Sequence, residues 1–297
     1  MVWRRIAWIG LPEKRGQWWH SHAAFPTVVE TFGEYLTVLV SSRDRLQRSS
    51  CAAITLKISE QSAELVDFSR NPLLKPGGEG HFDCDGVNVT SACGTGDDLT
   101  VWYHGWSLTR NGGWLNSIGS ARGNLSTGFV RTSLSPIFDR SPEDPTSLGY
   151  PFWFPNCGEP VLYYCSYEKF GNPSIGEPYS YRVKCASGKD LIRGVPLLQH
   201  DEGMSAQSRP CVVERYGEYL MFIAVKGSKY HIRCANSKDG VTWQWADRKW
   251  WLLPSAEANE MYEVAYPYVV HHQNRLVMLY NGDSHGKDGV GLAVWDD

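Results

Sequence analysis

Carboxylates stand just ahead of apolar runs at recurring places in this chain. Asp83 and Asp85 precede a run that starts at Gly86, Glu202 precedes Arg209-Pro210, and Glu260 and Glu263 precede Tyr266-Pro267. A pair of carboxyls on one wall, one protonated and one ionised, can serve a leaving oxygen and activate a water or attack directly. Asp83 and Asp85 are two residues apart, so an extended chain points both to the same face. Arg43, Arg48, Arg140 and Arg209 could hold carboxylate or phosphate oxygens with their planar forks. His22, Asp44, Asn116, Asp139 and Asn281 would add hydrogen bonds, while Tyr103, Trp106, Tyr230 and Tyr266 offer faces on which a sugar ring can stack. Converging on one concave surface, these types make a carbohydrate site. Each has a plainer role too: the acids could bind backbone N–H groups, the histidines backbone carbonyls, and Arg43 could pair with Asp44.

Convergence requires elements that bring distant segments together, and the sequence supplies them by repetition. Five segments share one shape: a Pro or Gly, a β-branched or apolar run, a Gly-bearing turn in most copies, then a second apolar run rich in Tyr and Trp. They begin at Pro26, Gly86, Pro151, Pro210 and Pro267. A period of roughly 60 residues with hairpin chemistry inside each unit is the signature of a repeat architecture. It predicts an all-β fold, a five-bladed β-propeller in one domain over residues 1–297, with the first strand of each blade lining a central funnel. Third runs follow at 51–58, 116–122, 181–187, 230–237 and 289–295, and 236–243 makes a tight turn into a fourth strand. The fifth unit ends after its third run, so residues 2–9 are expected to supply the missing strand and close the ring. Helical periodicity is almost absent.

Composition fits this plan. With 42% hydrophobic residues, 13 Trp and 15 Tyr, the chain can bury a large aromatic core. The net charge of −3, with both signs interspersed, argues against a nucleic-acid partner or an anionic membrane surface. No apolar stretch reaches the length of a membrane span, and Met1 to Gly10 has no signal-peptide character. The eight cysteines form no CxxC pair and sit mostly in apolar runs, as buried thiols of a reducing cytoplasm would. No convincing metal-ligand set is present, so no metal or other cofactor is expected. The expected partner is a sugar or glycoconjugate; nothing in the sequence speaks to oligomeric state.

Several motifs carry a family resemblance: His22-Ala-Ala-Phe-Pro26, Ser42-Arg-Asp44 with Gln47-Arg-Ser49, Phe82-Asp-Cys-Asp-Gly86, and Asn116-Ser-Ile-Gly119. Further along come Asp139-Arg-Ser-Pro142, Arg209-Pro210, Asn236-Ser-Lys-Asp-Gly-Val-Thr-Trp243, Glu260-Met261, Tyr266-Pro267, and Asn281-Gly282 with Gly291-Leu-Ala-Val294. In order and spacing the chain resembles the five-bladed propeller glycoside hydrolases and phosphorylases of families 43, 32, 68 and 130. It looks closest to a hydrolase-like branch found in bacterial surface-polysaccharide clusters. The resemblance implies an enzyme that cleaves or transfers a glycosyl unit in the funnel, with Asp83 or Asp85 and a late glutamate as acid and base. It also marks a departure. Family 43 and 32 hydrolases carry an Asp at the head of the first blade, where this chain has Phe25 before Pro26. That loss suits a transferase or phosphorylase, whose phosphate or nucleotide-sugar co-substrate brings its own nucleophile or leaving group. A non-catalytic glycan-binding propeller is the third reading.

Overall fold

The computed structural model describes residues 2–296 apart from 111–112, 156–158, 172–174, 176, 178, 189 and 257–258. Strand β1 (Val2–Ile9) is followed by a first unit of β2 (Ser21–Phe32), β3 (Tyr35–Arg43), β4 (Ser49–Ile58) and β5 (Ala63–Phe68). The second contains β6 (Gly86–Thr95), β7 (Asp98–Leu108), β8 (Trp114–Asn124) and β9 (Gly128–Arg131). Then come β10 (Ser147–Phe154), β11 (Val161–Lys169), β12 (Ser180–Ser187) and β13 (Ile192–Pro196), and β14 (Ala206–Arg215), β15 (Glu218–Lys226), β16 (Tyr230–Ser237) and β17 (Gln244–Trp245). The last strands are β18 (Ala265–His272), β19 (Arg275–Asn281) and β20 (Val290–Asp296). No α-helix occurs among the described residues, and no helix is long and apolar enough to cross a membrane.

Within each unit neighbouring strands pair antiparallel, and the third strands fall within a few residues of the runs expected for them. Single parallel bridges, Ser49 with Gly86 and Tyr181 with Ala206, join units into two larger sheets. In the remaining sheet β1 pairs antiparallel with β20, from Val2 opposite Asp296 to Ile9 opposite Val290. The first strands pack in order, β2 on β6, β6 on β10, β10 on β14 and β14 on β18, and β18 packs back on β2. Asn281 reinforces that last junction. Its Oδ1 accepts the Phe25 N–H at 2.9 Å, and its Nδ2 donates to the carbonyls of Ala23 and Gly289.

Strands buried on both faces have no need of polar alternation. In β4 the first six residues are all buried, and alternation sets in only towards its far end. The largest apolar cluster takes in Trp3, Trp19, Phe222, Tyr280 and Trp295, so β1 packs in the same core as β15, β19 and β20. Among the described residues seven cysteines are free thiols, five of them buried; Cys157 lies outside the described residues.

Four first strands share a device. Phe25, Tyr150, Arg209 and Tyr266 each have φ between +52° and +56° and each precedes a proline. A non-glycine residue rarely adopts this left-handed region. At each place the strand register skips, as in a β-bulge. A bulge re-aims side chains. Here it turns Phe25, Tyr150 and Tyr266 into one aromatic cluster, with ring centroids 4.4 to 5.9 Å apart. Arg209 turns into the fully buried centre, where it donates to the carbonyls of Thr90 and Pro26 and to Thr27 Oγ1, tying β14 to β6 and β2.

Candidate functional site

A cavity of about 530 Å³ opens above the aromatic cluster. Its wall includes His22, Arg43, Asp85, Trp106, Asn116, Tyr230 and Tyr266, seven of the residues expected at the site from sequence. Phe25, Asn88, His104, Trp114 and Tyr150 also line it, with Tyr167, Tyr179, Tyr181, Lys226 and His285. A larger groove, lined by Arg215, Tyr216, Lys238 and Trp250, holds none of the expected residues.

Several expectations are corrected by placement. Asp83 is 1% exposed; its Oδ2 accepts from Arg131 Nε at 2.8 Å and from Tyr103 Oη at 3.1 Å. Glu260 is 3% exposed and takes Arg5 Nε at 2.6 Å, Tyr280 Oη at 2.8 Å and Ser255 Oγ at 3.0 Å. Neither carboxylate nor Tyr103 lines the cavity, which leaves Asp85 and Glu263 as the members of the expected acid pairs that stand at or behind its wall. Glu202 lies in an exposed loop, away from the wall. Arg48 pairs with Asp44 at 2.9 Å outside the wall, and Arg140 sits exposed beside Asp139, which accepts from Ser117 Oγ. Arg209 and Asn281 are spent on backbone groups, as described above. Burial makes such partners obligatory, since an unpaired buried charge is costly.

At the cavity itself, charge is mostly positive or latent. The Arg43 guanidinium lies 5.2 Å from the Trp106 ring centre and donates to the Gln47 carbonyl at 2.9 Å. Among the described residues it has no carboxylate within ion-pair distance, and burial lowers its pKa. Trp106 is held by its Nε1, which donates to Ser49 Oγ at 2.8 Å. Gly86 makes this fit possible, because a Cβ there would come within 2.1 Å of Ser49 Oγ and 2.3 Å of Trp106 Nε1. Burial, reinforced by Arg43, lowers the His22 pKa to about 4.

Asp85 is the carboxylate on the wall, and its Oδ2 already accepts the Leu108 N–H at 2.7 Å. A second carboxylate, Glu263, stands behind the wall. Its oxygen is 3.2 Å from Nδ1 of His285, whose ring packs 5.7 Å from both Tyr230 and Tyr266. Burial raises the Glu263 pKa and lowers that of His285. One side chain fixes this pair: the Asp283 carboxylate accepts the backbone N–H groups of Met261, Tyr262 and Glu263, so the loop before β18 is clamped to the turn Asp283–Gly286 that carries His285.

The residues that sequence reading missed share a signal. They cluster where the second strand of a unit ends and the third begins: His104 beside the expected Trp106 on β7, Tyr167 with Tyr181, and Lys226 opposite the expected Tyr230. His104, Trp106 and Leu108 alternate along β7 and all reach the wall. Arg43, the last residue of β3, occupies the same kind of position.

A comparison with sequence profiles of known families finds no match. Among solved structures, the chain shares its fold with a protein described as a glycoside hydrolase, with a TM-score of 0.70 at 15% identity over 99% of this chain and 91% of the other. A thermostable family-43 glycoside hydrolase aligns with a TM-score of 0.64 at 14% identity over 96% and 93% of the two chains. A family-32 β-fructofuranosidase from Bombyx mori gives 0.60 at 13% identity, covering 93% of this chain and 61% of that one. These likenesses establish the propeller glycoside hydrolase fold, which hosts more than one chemistry. Closer in sequence are two Mycobacterium tuberculosis proteins, "Uncharacterized protein MT1551" (strain CDC 1551 / Oshkosh) and "Uncharacterized protein Rv1502" (strain ATCC 25618 / H37Rv), each 32% identical over 302 residues and the full length of both chains. At that identity over that length, the chain belongs to the same family as these two mycobacterial proteins.

Proposed function

We propose that this chain is a single-domain five-bladed propeller, closed by β1, that binds an anionic glycosyl compound in the cavity and transfers its glycosyl unit. The compound is a glycosyl phosphate or a nucleoside diphosphate-sugar. Arg43 carries the reading: an accessible guanidinium without a carboxylate partner among the described residues, stacked on a tryptophan and backed by Lys226. In a partly dry cavity such a fork holds two anionic oxygens more strongly than it would in water. The surrounding Tyr, Trp and Phe faces suit the apolar side of a sugar ring.

Ordinary two-carboxylate hydrolysis is less well supported. It would have to work with Asp85, engaged by a backbone N–H, and Glu263, engaged by His285. A donor carrying its own phosphate leaving group needs no such pair.

Calorimetry tests the ligand class. Inorganic phosphate, glycosyl phosphates, nucleoside diphosphate-sugars, uronates and neutral oligosaccharides would be titrated into the protein. Phosphorylated sugars are expected to bind, and Arg43→Lys, which keeps the charge but loses the fork, is expected to weaken them by about tenfold or more. Arg48→Lys, whose partner is Asp44, should leave affinity unchanged. Equal binding of neutral sugars by wild type and Arg43→Lys would overturn the reading.

A further inference from the structure

We infer that His285, oriented by Glu263, is the residue that moves the proton in this cavity; the inference rests on the glycosyl-transfer reading above. The two imidazole nitrogens have different surroundings. Nδ1 faces the Glu263 carboxylate at 3.2 Å, while Nε2 has no protein hydrogen-bond partner among the described residues, although the ring is part of the cavity wall. With a carboxylate fixed beside it, Nδ1 keeps the hydrogen and Nε2 presents its lone pair. Glu263 is itself held by the Asp283 clamp through its backbone N–H, so it sets the ring's tautomer and angle before any ligand arrives. Ser284 and His285 both lie at positive φ, +60° and +55°, and this strained backbone is held in place by the loop-to-turn clamp.

The step balances without a further reagent. An acceptor hydroxyl, from a sugar or from water, attacks the anomeric carbon as the bond from that carbon to the phosphate oxygen breaks. The bonding pair leaves with the phosphate, which Arg43 holds. The hydroxyl proton passes to Nε2, and the imidazolium formed is stabilised by Glu263. Other charged or titratable groups around the ring are Lys226 at the end of β15, Tyr230 on β16, Tyr266 on β18, Arg43 on β3 and His22 on β2. Lys226 and Arg43 oppose protonation of the ring and Glu263 favours it.

The test follows phosphate or nucleoside diphosphate release from the same glycosyl phosphates and nucleotide-sugars, with water or glycerol as acceptor, beside calorimetric affinity. His285→Gln is expected to lower turnover by about 10²–10⁴-fold while affinity stays within about threefold. Glu263→Gln should cost less and move the acid limb of kcat/KM to lower pH, since the imidazole loses the anion that favours its protonated form. Added imidazole should restore part of the turnover of His285→Ala. Unchanged turnover in His285→Gln, or a loss of affinity matching the loss of rate, would overturn the inference. So would a wild-type protein that turns over none of these compounds. In that last case Arg43-dependent binding, if present, leaves the ligand class standing; absence of binding removes both.

Discussion

His104 shows how much one side chain can settle. It is 3% exposed, and its Nδ1 lies 3.3 Å from the backbone nitrogen of Tyr150. A backbone N–H can only donate, so Nδ1 accepts and the neutral ring carries its hydrogen on Nε2. The Asn88 Nδ2 stands 2.9 Å from that Nε2, so the Asn88 amide must turn over to present its oxygen there. Desolvation, with repulsion from Arg209 and Arg43, lowers the His104 pKa to about 3. The unfolded chain then binds a proton that the folded one refuses between about pH 6.5 and 3. Stability is fully present above that window and falls as the pH drops through it, by roughly 5 kcal/mol at about 1.4 kcal/mol per pKa unit. Urea unfolding from pH 7 to pH 4 should show the decline, and His104→Gln should flatten it.

At the scale of the element, three units carry the same internal bond. Tyr103 on β7 donates to Asp83, which pairs with Arg131 at the end of β9. Tyr164 on β11 donates to Asp144, which pairs with Lys184 and with Arg193 of β13. Tyr280 on β19 donates to Glu260, which pairs with Arg5 of β1. An acid before the first strand thus links second strand to fourth. Asp83 and Glu260 have the residue type and position expected of catalytic acids, and Asp144 recurs at the matching place in a third unit. A requirement of the fold repeats with the fold, whereas a catalytic group need appear only once. Repeat period, hairpins and strand order were legible because they depend on local pattern. At the tips of the second and third strands, where about half of the cavity wall originates, Arg43, Trp106, Asn116 and Tyr230 were legible but His104, Trp114, Tyr167, Tyr181 and Lys226 were not, because local pattern alone does not say which tips converge. Asp144→Ala is expected to cost about 3–5 kcal/mol, as removal of one member of a buried charge cluster does. Asp83→Asn and Glu260→Gln should lower the midpoint of thermal unfolding and leave ligand affinity in the folded protein unchanged.

For the whole molecule, the contact between the last unit and the first has few substitutes. Asn281 makes two hydrogen bonds across it, with the Phe25 N–H and the Ala23 carbonyl, and a third to Gly289 within the last unit, while Trp3 of β1 packs edge-on to Trp295 of β20 and Phe222 of β15. Asn281→Ala leaves the Phe25 N–H and two carbonyls unpaired in a buried place, at a cost of about 1–3 kcal/mol for each group left unsatisfied. Trp3→Ala should cost about 3–5 kcal/mol through the cavity it opens. Denaturant titrations monitored by Trp fluorescence would measure both, and a loss under 1 kcal/mol in either would show that the junction carries little of the stability.

Arg209 has one more effect, on timing. Its pKa is lowered to about 10 by burial, which still leaves it charged at neutral pH, and no carboxylate lies within ion-pair distance among the described residues. Together with Arg43 it places uncompensated positive charge around the cavity of a chain whose net charge is −3. A field of that kind acts on a ligand before contact, guiding an anion past a surface that otherwise repels it. Raising the ionic strength from about 0.01 to 0.15 M shortens the screening length from roughly 30 to 8 Å. Stopped-flow capture of a glycosyl phosphate should slow across that range while its escape rate holds nearly constant, so the two arginines, one on the wall and one buried beneath it, would together set how quickly ligand arrives.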